Sequence, residues 1–338
     1  MGAFSIFMRS VTAYHRVPFT LPFKEPAVPR RLLALAALLL MHHAAFASCL
    51  AEQAASLPLT LWKGKLLLPV GINGAPQTIA LDTGAGISTI STAVANSIDL
   101  PHDFDHAAEL GGVGGRASIL NIGQIDTLEL DRIRLTHLAF PIADFDMKTQ
   151  TGDPVAGLLG ADVLRRYDLE IDVPAGRLNL FQTSACTDPL PPWSTTSDPI
   201  SFDLDEGNHI LVSLKVEGTH LTGVLDTGAP GLAVTDGAAF RTGLTEDALD
   251  QDMPIHGIGV NNRAWTGHLH RFDTINFAGV IFHATPAEII PSNMAARNDA
   301  LIGADALIGM ELLRNMRLWI SYRTKTLYMQ ASGRTGAD

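Results

Sequence analysis

The pattern that most constrains this chain occurs twice: Ile79-Ala80-Leu81-Asp82-Thr83-Gly84-Ala85 and, far downstream, Gly223-Val224-Leu225-Asp226-Thr227-Gly228-Ala229. Each copy is an apolar run ending in Asp-Thr-Gly. Such a run reads as a buried strand that delivers a carboxylate into a turn, with glycine where a side chain would obstruct. One Asp-Thr-Gly is an ordinary strand-end turn, but two in equivalent settings demand two halves built on one plan. If the halves face each other across a pseudo-twofold axis, the aspartates share one proton, because like charges at that separation cannot both ionise. One carboxylate is then poised as general base toward a water and the other as acid, which is enough to hydrolyse an amide without metal or covalent intermediate.

The repeat runs well beyond the tripeptide. Asp82 to Leu100 aligns without a gap on Asp226 to Leu244, setting Ile90 on Val234, Ser91 on Thr235 and Ala95 on Ala239. Ser91 and Thr235 each sit where a strand passes into a short helix, as N-cap candidates. Glycine-rich Gly112-Val113-Gly114 matches Gly257-Ile258-Gly259, and Leu158-Leu159-Gly160 through Leu164 matches Leu307-Ile308-Gly309 through Leu313. Alternating Leu169, Ile171 and Val173 match Leu318, Ile320 and Tyr322. Asn73-Gly74 and Glu217-Gly218 stand at hairpin positions before each Asp-Thr-Gly.

With four motifs in the same order twice, both halves resemble retropepsin-like aspartic protease domains, fused in tandem as in bilobal pepsin-type enzymes. The resemblance spans about Leu59 to Met329. It implies a mostly β chain of two β-barrel domains in a pseudo-twofold bilobal fold. It also implies an aspartic endopeptidase acting on polypeptide with no cofactor or metal. The catalytic pair carries over to Asp82 and Asp226, the supporting loop residues to Thr83, Gly84, Thr227 and Gly228, and the substrate-covering flaps to Gly112, Val113, Gly114, Gly257, Ile258 and Gly259. The threonines are expected to brace the loops through hydroxyl to backbone hydrogen bonds. Two departures stand out: neither flap has the tyrosine of pepsin-type enzymes, and Ala85 and Ala229 stand where those enzymes have Ser or Thr. Alanine gives the carboxylates no hydroxyl donor, so an activity optimum between about pH 4.5 and 6.5 is expected.

Residues 1–47 read as a signal peptide with an N-terminal extension: Arg30-Arg31, the apolar run Leu32 to Met41, and an Ala45-Phe46-Ala47 cleavage site. The run is short for a membrane span. A periplasmic or secreted protein follows, with no integral span once cleaved. Beyond residue 47 the chain carries 19 Lys+Arg against 34 Asp+Glu, so nucleic acid is excluded as a partner. The two cysteines, Cys49 and Cys186, leave three outcomes open: a disulfide in an oxidising compartment, lipid anchoring through Cys49, or free thiols.

The plan divides into a first domain at 57–182, a linker at 183–200 interrupted by Pro189, Pro191, Pro192 and Pro199, and a second domain at 201–331 with a longer insertion around Glu288 to Ala306. Leu110 to Gly115 has neither a Lys-Ser/Thr nor a helix after it, which excludes a phosphate loop. His268 and His270 lack a third ligand at a telling spacing. Because both halves lie on one chain, a monomeric site is expected. The competing reading is a non-catalytic module that keeps the cleft to bind peptide or a partner.

Overall fold

In the computed structural model the described residues are 51–112, 115–144, 146–182, 190–191, 193, 198–258, 264–292 and 304–331. Cys49, Cys186, Val113, Gly114 and Gly259 lie outside them, as do the expected signal segment and most of the expected linker and insertion.

The chain is mostly β. Its N-terminal lobe is an eight-stranded sheet in the order Thr60–Trp62, Lys65–Ile72, Ala75–Leu81, Gly157–Leu159, Thr89–Ser91, Ile133–Ala143, Gly115–Leu130, His102–Gly112. The C-terminal lobe repeats the order with Asp203–Leu204, Ile210–Val216, Thr219–Leu225, Ala306–Ile308, Leu232–Thr235, Val280–Ile290, Ala264–Phe277, Met253–Ile258. An extra pairing curls each sheet back on itself, Gly71 with Glu129 in one lobe and Lys215 with Asn276 in the other. The strands form where alternation dictates: in Ile210–Val216 the residues Ile210, Val212, Leu214 and Val216 are buried while Ser213 and Lys215 face water. The hairpins before each Asp-Thr-Gly turn through two residues of positive φ, Asn73 (50°) and Gly74 (79°), then Glu217 (48°) and Gly218 (79°). This is the twist that matches tight antiparallel pairing. The anticipated caps are present, Ser91 Oγ accepting from Val94 N–H and Thr235 Oγ1 from Ala238 N–H.

The last hairpin of each repeat does not stay in its own lobe. Asp168–Asp172 pairs antiparallel with Met316–Ser321, and with Glu52–Pro58, Arg177–Gln182, Thr326–Ala331 and Ile200–Ser201 they make a six-stranded sheet common to both lobes. Glu170 faces Trp319, its own counterpart in the repeat, so the pseudo-twofold axis passes through this pair. The strand Glu52–Pro58 reaches back before residue 57, held along Arg177–Gln182.

One face of the shared sheet carries a buried polar network. The Glu170 carboxylate, 3% exposed, accepts from Trp193 Nε1 at 2.8 Å, Asn179 Nδ2 at 2.7 Å and Arg317 Nε at 2.8 Å. Arg317 lies 5.2 Å from the Trp193 ring, and Trp193 packs with Phe181, Trp319 and Tyr328. A charge this deep is tolerable because every side of it is hydrogen-bonded, and the network joins the lobes through residues from both.

Candidate active site

Both Asp-Thr-Gly loops hang from the same local device. Leu81 and Leu225 end their strands fully buried, and the following aspartate N–H donates across to the neighbouring parallel strand, Asp82 to Leu159 C=O at 3.1 Å and Asp226 to Ile308 C=O at 3.0 Å. The glycine after each apolar pair allows the close crossing. A Cβ on Gly160 would stand 2.7 Å from Ala85 C=O, and one on Gly309 would stand 2.5 Å from Ala229 C=O. The following N–H groups then bond those carbonyls, Ala161 to Ala85 at 2.8 Å and Met310 to Ala229 at 2.9 Å.

The threonines cross between lobes. Thr83 N–H donates to Thr227 Oγ1 and Thr227 N–H to Thr83 Oγ1, both at 3.0 Å. The hydroxyls in turn donate to Leu225 C=O (2.7 Å) and Leu81 C=O (3.0 Å). Four buried hydrogen bonds thus lock one loop to the other, and the expected bracing is present.

The glycines let backbone N–H groups approach the carboxylates, as their place in the motif leads one to expect. Gly84 N–H donates to Asp82 Oδ1 at 3.0 Å and Gly228 N–H to Asp226 Oδ1 at 2.7 Å. At the same time each glycine Cα faces the opposite carboxyl group: a Cβ on Gly84 would overlap Asp226, and a Cβ on Gly228 would overlap Asp82. The structure therefore brings Asp82, Thr83, Gly84, Asp226, Thr227 and Gly228 into one site.

The two carboxyl groups hydrogen-bond each other and are electrostatically unequal. Burial first, and the charge of Asp226 second, push Asp82 from its ordinary 3.8 to about 8, against the opposing pull of Lys65 and the Gly84 N–H. Burial also raises Asp226, against the opposing pull of Lys65, the N–H groups of Gly228 and Ala229, and the hydrogen bond from Asp82. Asp226 Oδ1 accepts two backbone N–H groups, the second from Ala229 at 2.9 Å. The shared proton accordingly rests on Asp82 while Asp226 carries the charge.

Two residues at the site escaped sequence reasoning. Lys65 Nζ donates to Gly228 C=O, planting a cation beside the Asp226 loop. Leu67 pairs with Ala80 and, at the matching place of the repeat, Leu211 with Val224, so Lys65 and His209 occupy equivalent places at the starts of equivalent strands. Aligning the strands before each Asp-Thr-Gly, as well as those after it, exposes Lys65. Tyr322, in the turn after Met316–Ser321, buries a hydroxyl that has no partner among the described residues; burial and then Asp82 raise its pKa. It aligns with Val173, so the repeat gave it no polar role.

The expected flaps are the ends of long hairpins. Gly112 pairs with Gly115 beside the undescribed Val113 and Gly114; Gly257 pairs with Trp265 and Ile258 with Ala264, next to the undescribed Gly259. No cluster of metal-binding groups occurs among the described residues, and His270 is engaged with Asp252 at 2.6 Å.

Two lobes on one plan, each contributing an Asp-Thr-Gly loop to a shared carboxyl pair, define the architecture of an aspartic protease. A profile of the aspartyl protease family matches residues 68–163 and 212–312, more than half of the chain, and the chain belongs to that family. Among solved structures, the aspartic proteinase from Irpex lacteus is similar at 13% identity and a TM-score of 0.46, over 84% of this chain and 98% of that one. Among curated proteins none matches significantly.

Proposed function

We propose that the chain is an exported aspartic endopeptidase in which Asp82 and Asp226 activate one water. The observation that carries this reading is the unequal carboxyl pair: a group that holds a proton to about pH 8 hydrogen-bonded to one supplied with two N–H donors and a nearby cation. Asp226 takes a proton from the water as its oxygen attacks the peptide carbonyl carbon, and Asp82 gives its proton to the carbonyl oxygen. When the tetrahedral adduct collapses, the C–N bond breaks, the proton on Asp226 passes to the leaving nitrogen, and Asp82 recovers one from the adduct hydroxyl. The work of both groups is then required in each turnover.

Asp82→Asn alone and Asp226→Asn alone are each expected to abolish peptide hydrolysis, by about 10³-fold or more. Assay of both variants with a sedimentation measurement of mass tests the site and the monomer together. Residual activity near half in each variant, with a dimeric mass, would mean that like repeats pair across chains. The pH profile follows from the same pair. Activity rises as Asp226 ionises above its raised pKa and declines as Asp82 loses its proton near 8. A maximum at about pH 2 to 3 would contradict the assignment. Among the described residues no helix is long and apolar enough to cross a membrane, and the Arg30 to Ala47 pattern supports export with cleavage near Ser48.

A further inference from the structure

The whole chain contains six lysines, and three of them, Lys63, Lys65 and Lys148, line one cavity of about 270 Å³. The other two beyond the signal segment, Lys215 and Lys325, belong to strands and turns of the second repeat. In a chain with 34 acidic groups after residue 47, this clustering runs against the overall charge. Lys65 is offset by the carboxyl pair it faces, which leaves Lys63 and Lys148 as the cations that an anionic ligand of the hollow would meet.

The cavity has a mixed lining. Leu67 and Val155 are buried beneath it and supply an apolar floor, and Lys63 lies 5.7 Å over the Trp62 ring. The one carboxylate in the lining, Asp146, is 94% exposed and reaches Lys148 at 3.7 Å, so it balances a single lysine at the rim. Lys65 connects the hollow to the carboxyl pair, because its ammonium donates to Gly228 C=O in the Asp226 loop. Its charge also acts on both carboxyl groups of the pair. A side chain lodged here therefore belongs to a residue close to the bond held at the dyad.

We propose that this cavity is the subsite that selects the substrate, and that it takes an acidic side chain, Glu or Asp, of the polypeptide beside the scissile bond. The proposal rests on the endopeptidase reading. The methylene part of the side chain lies on Leu67 and Val155 while its carboxylate meets Lys63 and Lys148.

The test uses a set of fluorescent peptides alike except for Glu, Gln, Leu or Lys at one position, moved residue by residue along the peptide. Equilibrium binding to the Asp82→Asn protein is expected to favour Glu over Gln by about tenfold at one position, with the preference shrinking as salt rises. Lys63→Glu and Lys148→Glu, each in that background, are expected to bring the ratio near unity and to improve binding of the Lys peptide. If Asp82→Asn fails to fold, the unaltered protein with peptides carrying a reduced, uncleavable amide gives the same comparison. Equal binding of Glu and Gln peptides at every position overturns the proposal. Cleavage by the unaltered protein separates the two readings: a Glu preference in binding without cleavage sinks the endopeptidase alone. Cleavage with no preference sinks the acidic subsite alone.

Discussion

The two lobes share a frame and differ in wiring. Strand order, cross-lobe threonine bonds, N–H donation from Gly84 and Gly228, and the close crossings at Gly160 and Gly309 are all duplicated. The charges around the carboxyl pair are not. Lys65 reaches across to the Asp226 loop, whereas its counterpart His209 is 7% exposed and turned to Asp205 at 2.7 Å. Ala229 N–H bonds Asp226 Oδ1, and Gly86 in one loop stands where Pro230 stands in the other, each under the hairpin of the opposite lobe. A symmetric pair made from two identical chains cannot hold such a difference, because every substitution appears on both sides. Fusion of the repeats permits it, and so allows one aspartate to keep the proton and the other the charge.

The shared frame is most directly broken at its glycines. Gly84→Ala and Gly228→Ala each drive a Cβ into the opposite carboxyl group, and kcat is expected to fall by about 10²-fold or more in both, since displacements of this size misplace reacting groups. A fluorogenic peptide assay measures it, and a variant with unchanged kcat would show that the loops can separate. Next comes the threonine lock. Thr83→Val and Thr227→Val each leave a buried N–H and a buried C=O unpaired, for about 2 to 4 kcal/mol of lost stability. Urea unfolding should give the two variants nearly equal losses, and a large inequality would refute the symmetry of the frame.

The wiring is probed by pH. The folded chain holds Asp82 protonated to about 8 while an unfolded chain releases that proton near 3.8, so the contribution of this group to stability is full below 3.8 and is lost as pH rises to 8. Asp82→Asn removes that loss, and its thermal midpoint should gain on the unaltered protein progressively between those limits. Asp226→Asn should gain less, because two backbone N–H donors already favour its charged form where Asp82 has one. Equal gains would erase the distinction between the two carboxyl groups.

Much of this was legible in the chain because the repeat aligns chemistry with local rules. Asp-Thr-Gly after an apolar run, Ser91 and Thr235 as caps, and Asn73-Gly74 as a turn are decided within a few residues. Aligning the two strands singles out the position of Lys65 opposite His209 but not its role, because a solvated surface lysine has the same local sequence. The alternation Leu169, Ile171, Val173 marked a strand yet left its partner open. Antiparallel pairing with Met316–Ser321 depends on what the other lobe presents, which is a contact between residues far apart in sequence.

By itself the sequence determined the two-part plan, the mostly β class and the residues of the carboxyl pair, because these follow from periodicity, turn chemistry and a repeated motif. Tertiary structure alone decided that the final hairpins merge into one sheet through Glu170 and Trp319, that each glycine sits against the opposite aspartate, and that Lys65 breaks the symmetry. The physical reason is distance: the first group depends on neighbours within a turn or a strand. The second depends on close approach and burial, which raise or lower a charge only once the two lobes have met.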